Sequence, residues 1–135
     1  METQNCQIPN LKQTQNNFKK PIYDLEQRTL CFAYDVRVFI KKCSRSLFLL
    51  EDGKQLIRSS GSVGANYIEA NESLGKKDFL MRLKISRKEA KESRYWLQLL
   101  KINMDSQELE SERNKLINES TQLISIFSSI ISKNI

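Results

Sequence analysis

The sequence predicts an all-α chain, folded as an up-down-up-down antiparallel four-helix bundle behind a flexible N-terminal arm. Three observations carry that prediction. Both prolines stand early, at Pro9 and Pro21, so no proline interrupts the chain beyond Pro21. After that point apolar residues recur at spacings of three and four in successive stretches. Short polar breaks join those stretches, which makes sequential helices antiparallel neighbours. With 135 residues, 39% hydrophobic and 28% charged, the chain suits one globular domain. Residues 21–135 are assigned to the bundle and residues 1–20 to the arm.

The arm, "METQNCQIPNLKQTQNNFKK", is rich in Asn and Gln and has no periodicity. Two readings stay open for it: a disordered tail, or a segment that orders on a neighbouring subunit or on RNA. In the first helix, expected from Asp24 to Arg45, Leu25, Thr29, Phe32, Val36, Phe39 and Cys43 make a buried stripe. Asp24 suits the positive end of that helix dipole, and Lys41, Lys42 and Arg45 the negative end. "EDG", Glu51 to Gly53, reads as the turn before the second helix.

The second helix contains "RSSGSVGANYIEANESLG", a stretch that resembles a phosphate loop only in its glycines. A phosphate-binding loop needs a preceding strand and a defined Gly spacing, and neither occurs. As a helix the stretch sorts cleanly. Leu56, Ser60, Val63, Tyr67 and Ala70 form one edge of a core face, and Ile57, Gly61, Gly64 and Ile68 the adjoining edge. A helical glycine costs about 1 kcal/mol relative to Ala, so close helix contact is the expected compensation. Ser62, Asn66 and Glu69 form a polar line beside that face. It is either a hydrogen-bonded solvated face or an interface network with Arg58 or Arg87 as partner. Gly75 is expected at the position that ends the helix.

The third helix is the clearest. Phe79, Leu83, Ser86, Ala90, Ser93, Leu97 and Leu100 repeat every seven residues, with a small-residue middle that lets a neighbour approach. Asp105 with Glu108 suggests a capping box opening a fourth helix. There Leu116, Ile117, Leu123, Ile124, Phe127, Ile130 and Ile131 make a broad apolar face.

Absent residue types exclude whole classes of chemistry. No histidine is present, which removes Ser-His-Asp and Cys-His catalysis, histidine metal sites and Glu-x-x-His pairs in a bundle core. A single carboxylate without an acid–base mate makes no catalytic site. No cofactor and no metal is expected. Three cysteines, Cys6, Cys31 and Cys43, form an odd set without C-x-x-C spacing. A disulfide is therefore not expected; Cys31 and Cys43 read as small core residues, and a reducing cytoplasm follows. No signal peptide or membrane span is apparent.

Charge is concentrated. The chain carries a net +6, and residues 76–101 alone hold nine Lys/Arg against three Asp/Glu. Lys77, Lys84, Lys88 and Lys91 fall opposite the apolar seam, with Arg87 and Arg94 as a second row. Such a ladder either neutralises successive phosphates or is simply a solvated face. Tyr95 and Trp96 read as packing residues or as platforms for bases.

"GKQLIRSSGSVGANYIEANESLGKKDFLMRLKISRKEAKESRYWL" resembles the four-helix bundle protein family, also called the 23S rRNA intervening-sequence protein family. The family's motif is a serine followed by Asn-[Ile/Tyr]-x-Glu, matched here by Ser62, Asn66 and Glu69. Glu92 falls where the family places a glutamate on the third helix, and "RKEAKESRYWL" looks like one subgroup. Asn71 stands where the family usually has glycine, which implies a different local backbone. The resemblance runs from about Tyr23 to the C-terminus. It implies a non-enzymatic bundle assembled as a homopentamer, some members being encoded within 23S rRNA genes. A related branch serves diversity-generating retroelements as a basic accessory protein that binds a reverse transcriptase and nucleic acid.

Two functions from different classes follow as expectations. One is an oligomeric bundle that binds RNA or DNA through phosphate contacts from Lys77, Lys84, Arg87, Lys88, Lys91 and Arg94. The other is a protein–protein adaptor, a scaffold ring for an enzyme partner such as a reverse transcriptase.

Overall fold

Four helices account for nearly all of the described chain: α1 (Pro21–Lys42), α2 (Leu47–Asn71), α3 (Lys76–Leu99) and α4 (Gln107–Lys133). The computed structural model describes residues 6–8, 21–100 and 106–135. Among them there is no strand, and the fold is the expected all-α up-down bundle. Each helix packs on its neighbour in sequence, and α4 closes against α1. No helix is long and apolar enough to cross a membrane.

The core follows the predicted stripes, except that Ile68, expected on the core face of α2, is exposed because it lies at the outer limit of that face. Phe32, Val36 and Phe39 of α1, Leu56 and Val63 of α2, Leu83, Ala90 and Leu97 of α3, and Leu123 and Phe127 of α4 are all buried. Tyr67 and Phe127 meet across it as tilted rings, centroids 5.8 Å apart. Ile117, Ile124 and Ile130 flank the centre of the α4 face.

Helix ends depart from the sequence reading in instructive ways. α1 begins at Pro21, where the missing N–H and the fixed φ suit a first helical position, and it ends at Lys42 rather than Arg45. The turn lies at residues 43–46, not at "EDG". Ser46 caps α2, its Oγ accepting from Leu49 N at 3.1 Å. Gly53 therefore sits inside the helix, buried beside Ile40. Gly75 does not end α2; that helix stops at Asn71, where the Glu72 N–H reaches the carbonyls of Ile68 and Glu69. Gly75 instead opens α3, its carbonyl accepting from Phe79 N at 3.0 Å. The cap of α4 is Ser106, whose Oγ accepts from Leu109 N at 3.2 Å; Asp105 lies outside the described residues.

Two polar features tie α1 to the rest. Glu119 is fully buried on α4 and receives both arms of Arg28, Nε to Oε2 and Nη2 to Oε1, each at 2.7 Å. The same Nη2 donates to Gln122 Oε1 at 2.7 Å. A buried carboxylate is tolerable only with such full, bidentate satisfaction. Second, Cys6 is joined to Cys31 by a disulfide, contrary to the expectation drawn from the odd cysteine count. An odd count excludes complete pairing, not pairing of two, and only Cys43 remains a free, buried thiol. Gln7 N donates to Asp35 Oδ1 at 3.2 Å, so residues 6–8 of the expected arm are fastened to α1. The rest of that arm lies outside the described residues.

Gly64 lets α1 and α2 meet. A Cβ there would stand 2.8 Å from Thr29 Oγ1 and 3.1 Å from Thr29 Cβ, both fixed at the helix surface. At Gly61 the nearest atom is the mobile end of Arg37, at 3.4 Å. Overpacking costs about 1–3 kcal/mol, and Gly-to-Ala in a helix gains about 1 kcal/mol. Gly64→Ala is therefore expected to destabilise by about 1–2 kcal/mol in urea unfolding. Gly61→Ala should be neutral or stabilising, by up to about 1 kcal/mol. Equal effects at the two sites would contradict the close contact at Thr29.

Candidate nucleic-acid interface

The outward face of α3 is set by what its inward face can accept. Ser86, Ala90 and Ser93 are buried against α2. Ser86 Oγ donates to the Val63 carbonyl at 2.9 Å, and Ser93 Oγ lies 3.0 Å from Ser59 Oγ and 2.9 Å from the Glu89 carbonyl. Side chains this small bring the two backbones close, and the hydroxyls find partners there rather than staying unsatisfied. The longer side chains of α3 are driven to its other faces.

Lys77, Lys84, Lys88 and Lys91 occupy the opposite face. All four are exposed, and none makes an ion pair among the described residues. Arg87 and Arg94 lie on the flank toward α4 and are half-buried there. Arg87 Nη1 donates to Ser128 Oγ and Arg94 Nη1 to Thr121 Oγ1, both at 3.3 Å. The lysine row is thus free of ion pairs among the described residues, and the second row, Arg87 and Arg94, is engaged with α4.

On the other flank, toward α2, Arg58 bridges two acids. Its Nη1 donates to Glu89 Oε2 at 3.1 Å, and its Nη2 to Glu89 Oε1 at 3.4 Å and to Glu92 Oε2. Trp96 Nε1 donates to the same Glu92 oxygen at 3.1 Å. Burial alone would raise the Glu92 carboxyl, but the Trp96 and Arg58 hydrogen bonds, with the charges of Arg58 and Lys88, hold it below the usual glutamate range. Arg58 is held more firmly protonated by Glu89 and Glu92.

The motif residues divide between clusters. Asn66 Nδ2 donates to the Ser62 carbonyl at 2.9 Å, and Arg82 Nη1 donates to Asn66 Oδ1 at 3.1 Å. Glu69 is exposed, and Glu92 belongs with Arg58 and Trp96. Neither arginine expected to serve the Ser62–Asn66–Glu69 line does so, because Arg58 points to Glu89 and Arg87 to α4; Arg82 takes that place. Asn71, standing at the end of α2, donates from Nδ2 to Glu26 Oε2 at 2.8 Å.

One supporting residue was missed from the sequence. Arg113 is buried, and its Nη1 donates to the carbonyls of Leu97 at 3.3 Å and Leu100 at 2.6 Å. It closes the C-terminal end of α3, where unsatisfied carbonyls and the negative dipole end favour a cation. Its place four residues after Leu109 and three before Leu116 put it on the apolar stripe, which was the available signal.

Residues 17–129 match the model of the 23S rRNA-intervening sequence protein family. The chain belongs to that family. A solved protein of unknown function from Bacteroides thetaiotaomicron, described as of the S23 ribosomal protein family, is similar at 31% identity with a TM-score of 0.65. The likeness covers 78% of this chain and 96% of that one. No curated protein sequence matches. The described residues contain no group of three metal-ligating side chains.

Trp96 is the only tryptophan, so its emission reports the Arg58–Glu92 cluster. Because the folded state holds Glu92 low, its contribution is present above the unfolded value and lost as pH falls through the folded one. The pH midpoint of Trp96 emission is expected to lie below that of an ordinary glutamate. Glu92→Gln should remove that step, with circular dichroism separating it from unfolding. A midpoint at or above the ordinary glutamate value would contradict the cluster.

Proposed function

We propose that this protein is an oligomeric, non-enzymatic bundle that binds RNA or DNA by placing phosphates along the outer face of α3. The observation that carries the proposal is the stripe of four exposed lysines on one helix, none of them in an ion pair among the described residues. From Lys77 to Lys91 it runs about 21 Å at 1.5 Å per residue. Over that length duplex DNA presents about twelve charges, at one per 1.7 Å of axis. Arg87 and Arg94, bound only to hydroxyls, flank the stripe and keep their full charge for a polyanion. The Arg58–Glu89–Glu92 cluster keeps two of the three acids of α3 paired on the flank toward α2, while Asp78 stands exposed in the first turn.

The names attached to the relatives point the same way. One is a 23S rRNA-intervening sequence family and the other an S23 ribosomal protein family, so RNA is the first ligand to test. A homo-oligomer, a pentamer by the family resemblance, would repeat the stripe in every subunit and add avidity to weak patches. A cytoplasmic location, where such a ligand is met, is part of the proposal; it implies that the thiol pool there opens Cys6–Cys31.

The decisive variant reverses three lysines, Lys84→Glu, Lys88→Glu and Lys91→Glu. All three are exposed, so the fold should survive, as circular dichroism checks. Binding measured by fluorescence anisotropy across a salt series should weaken more than about ten-fold. The log–log salt slope should become shallower by about two to three units, at roughly 0.7–0.9 per lost phosphate contact. Unchanged affinity and slope would remove the stripe as the site. Failure of the unmodified protein to bind at low salt would favour the adaptor role instead.

A further inference from the structure

We infer that the α3 face takes an unpaired stretch of nucleic acid, with Tyr95 as the platform on which a base stacks. The inference rests on the nucleic-acid reading and adds the strandedness of the ligand and a recognition residue. In sequence Tyr95 and Trp96 are equivalent neighbours, and the structure separates them. Trp96 turns toward α2, half-buried against the core, with its indole N–H on Glu92. Tyr95 turns outward and is 55% exposed.

Tyr95 stands within the lysine stripe and continues its spacing. It follows Lys91 by four residues and Lys88 by seven, so the three share one helical face. A base seated on the phenol would carry its phosphates toward ammonium groups within one or two turns. This combination of aromatic face and cationic track is what single-strand binding surfaces use, and a base locked in a duplex stack cannot reach it.

The ring is also braced. Tyr95 meets Trp96 edge to face, with centroids 5.0 Å apart and planes at 77°. Trp96 is held by Glu92, and Glu92 by Arg58 of the neighbouring helix. A large side chain left exposed but held from behind loses little freedom when a ligand covers it. Solvent exposure of a tyrosine needs no explanation by itself; exposure inside an unpaired cationic stripe, with the ring supported by a fixed indole, points to a ligand with both charge and aromatic surface.

The experiment compares binding of the full chain to four labelled probes of equal length: single-stranded RNA, single-stranded DNA, a duplex, and a single strand with abasic central residues. Abasic residues keep the phosphates and remove the stacking partner. The unmodified protein should prefer the single strands with bases over the abasic strand by about ten-fold. Tyr95→Ala should lose that preference with its salt slope unchanged, and Tyr95→Phe should keep it. Trp96 emission should shift on binding the strands with bases and stay still with the abasic one. The RNA and DNA arms show whether the ribose matters. Equal binding of abasic and normal strands, or a preference that survives Tyr95→Ala, would overturn the stacking inference while leaving phosphate binding standing. Absence of binding to every probe would overturn the nucleic-acid reading and this inference with it.

Discussion

Between α2 and α3 there is room only for small side chains, and the rest of the molecule is arranged around that closeness. Ser59, Val63, Ser86, Ala90 and Ser93 fill the seam, and every one is buried. Hydroxyls there must find partners, and they do so across the seam, at the Val63 carbonyl and between Ser93 and Ser59. Such bonds add modest stability, but they fix how far one helix can slide along the other, since a shift would strand them in an apolar core. With the register set, Arg58 falls opposite Glu89 and Glu92, and the lysines of α3 are left on its outer side.

The charges follow from that placement. Glu89 and Glu92 are drawn to the α2 flank by Arg58, while the arginines on the α4 flank rest on hydroxyls that leave their charge uncancelled. The basic face is therefore a product of packing as much as of composition. A different logic holds α1 to α4. There Glu119 is fully buried and depends on both arms of Arg28, so removing the arginine would leave an unpaired charge in the core, a loss of about 3–5 kcal/mol. The same helix pair carries Lys42 against Glu112 nearer the surface, where the pair matters less.

Faces were legible in the sequence, and partners were not. The seven-residue repeat from Phe79 to Leu100 defines the inner side of α3, and it places Lys77, Lys84, Lys88 and Lys91 on the outer side without further information. Glu119 lies three residues after Leu116 and four before Leu123, so its inward direction was readable. Its partner, 91 positions away on α1, was not. The disulfide was hidden for the same reason, since no local pattern pairs Cys6 with Cys31. Helix ends failed at short range: "EDG" and Asp105 carry turn and cap chemistry, but Ser46 and Ser106 are the residues whose hydroxyls reach back to the chain. The division between Tyr95 and Trp96 depends on which side α2 occupies, and that is a property of the assembled bundle.

On the reading proposed above, the outer face of α3 is the surface that a polyanionic partner covers. Lysine acetylation with and without a saturating RNA oligonucleotide, read residue by residue by mass spectrometry, tests it most directly. Lys77, Lys84, Lys88 and Lys91 should lose reactivity when RNA is bound, while Lys54 on α2 and Lys115 on α4, also exposed, should keep theirs. Protection of Lys54 or Lys115 with the α3 lysines still reactive would contradict the claim.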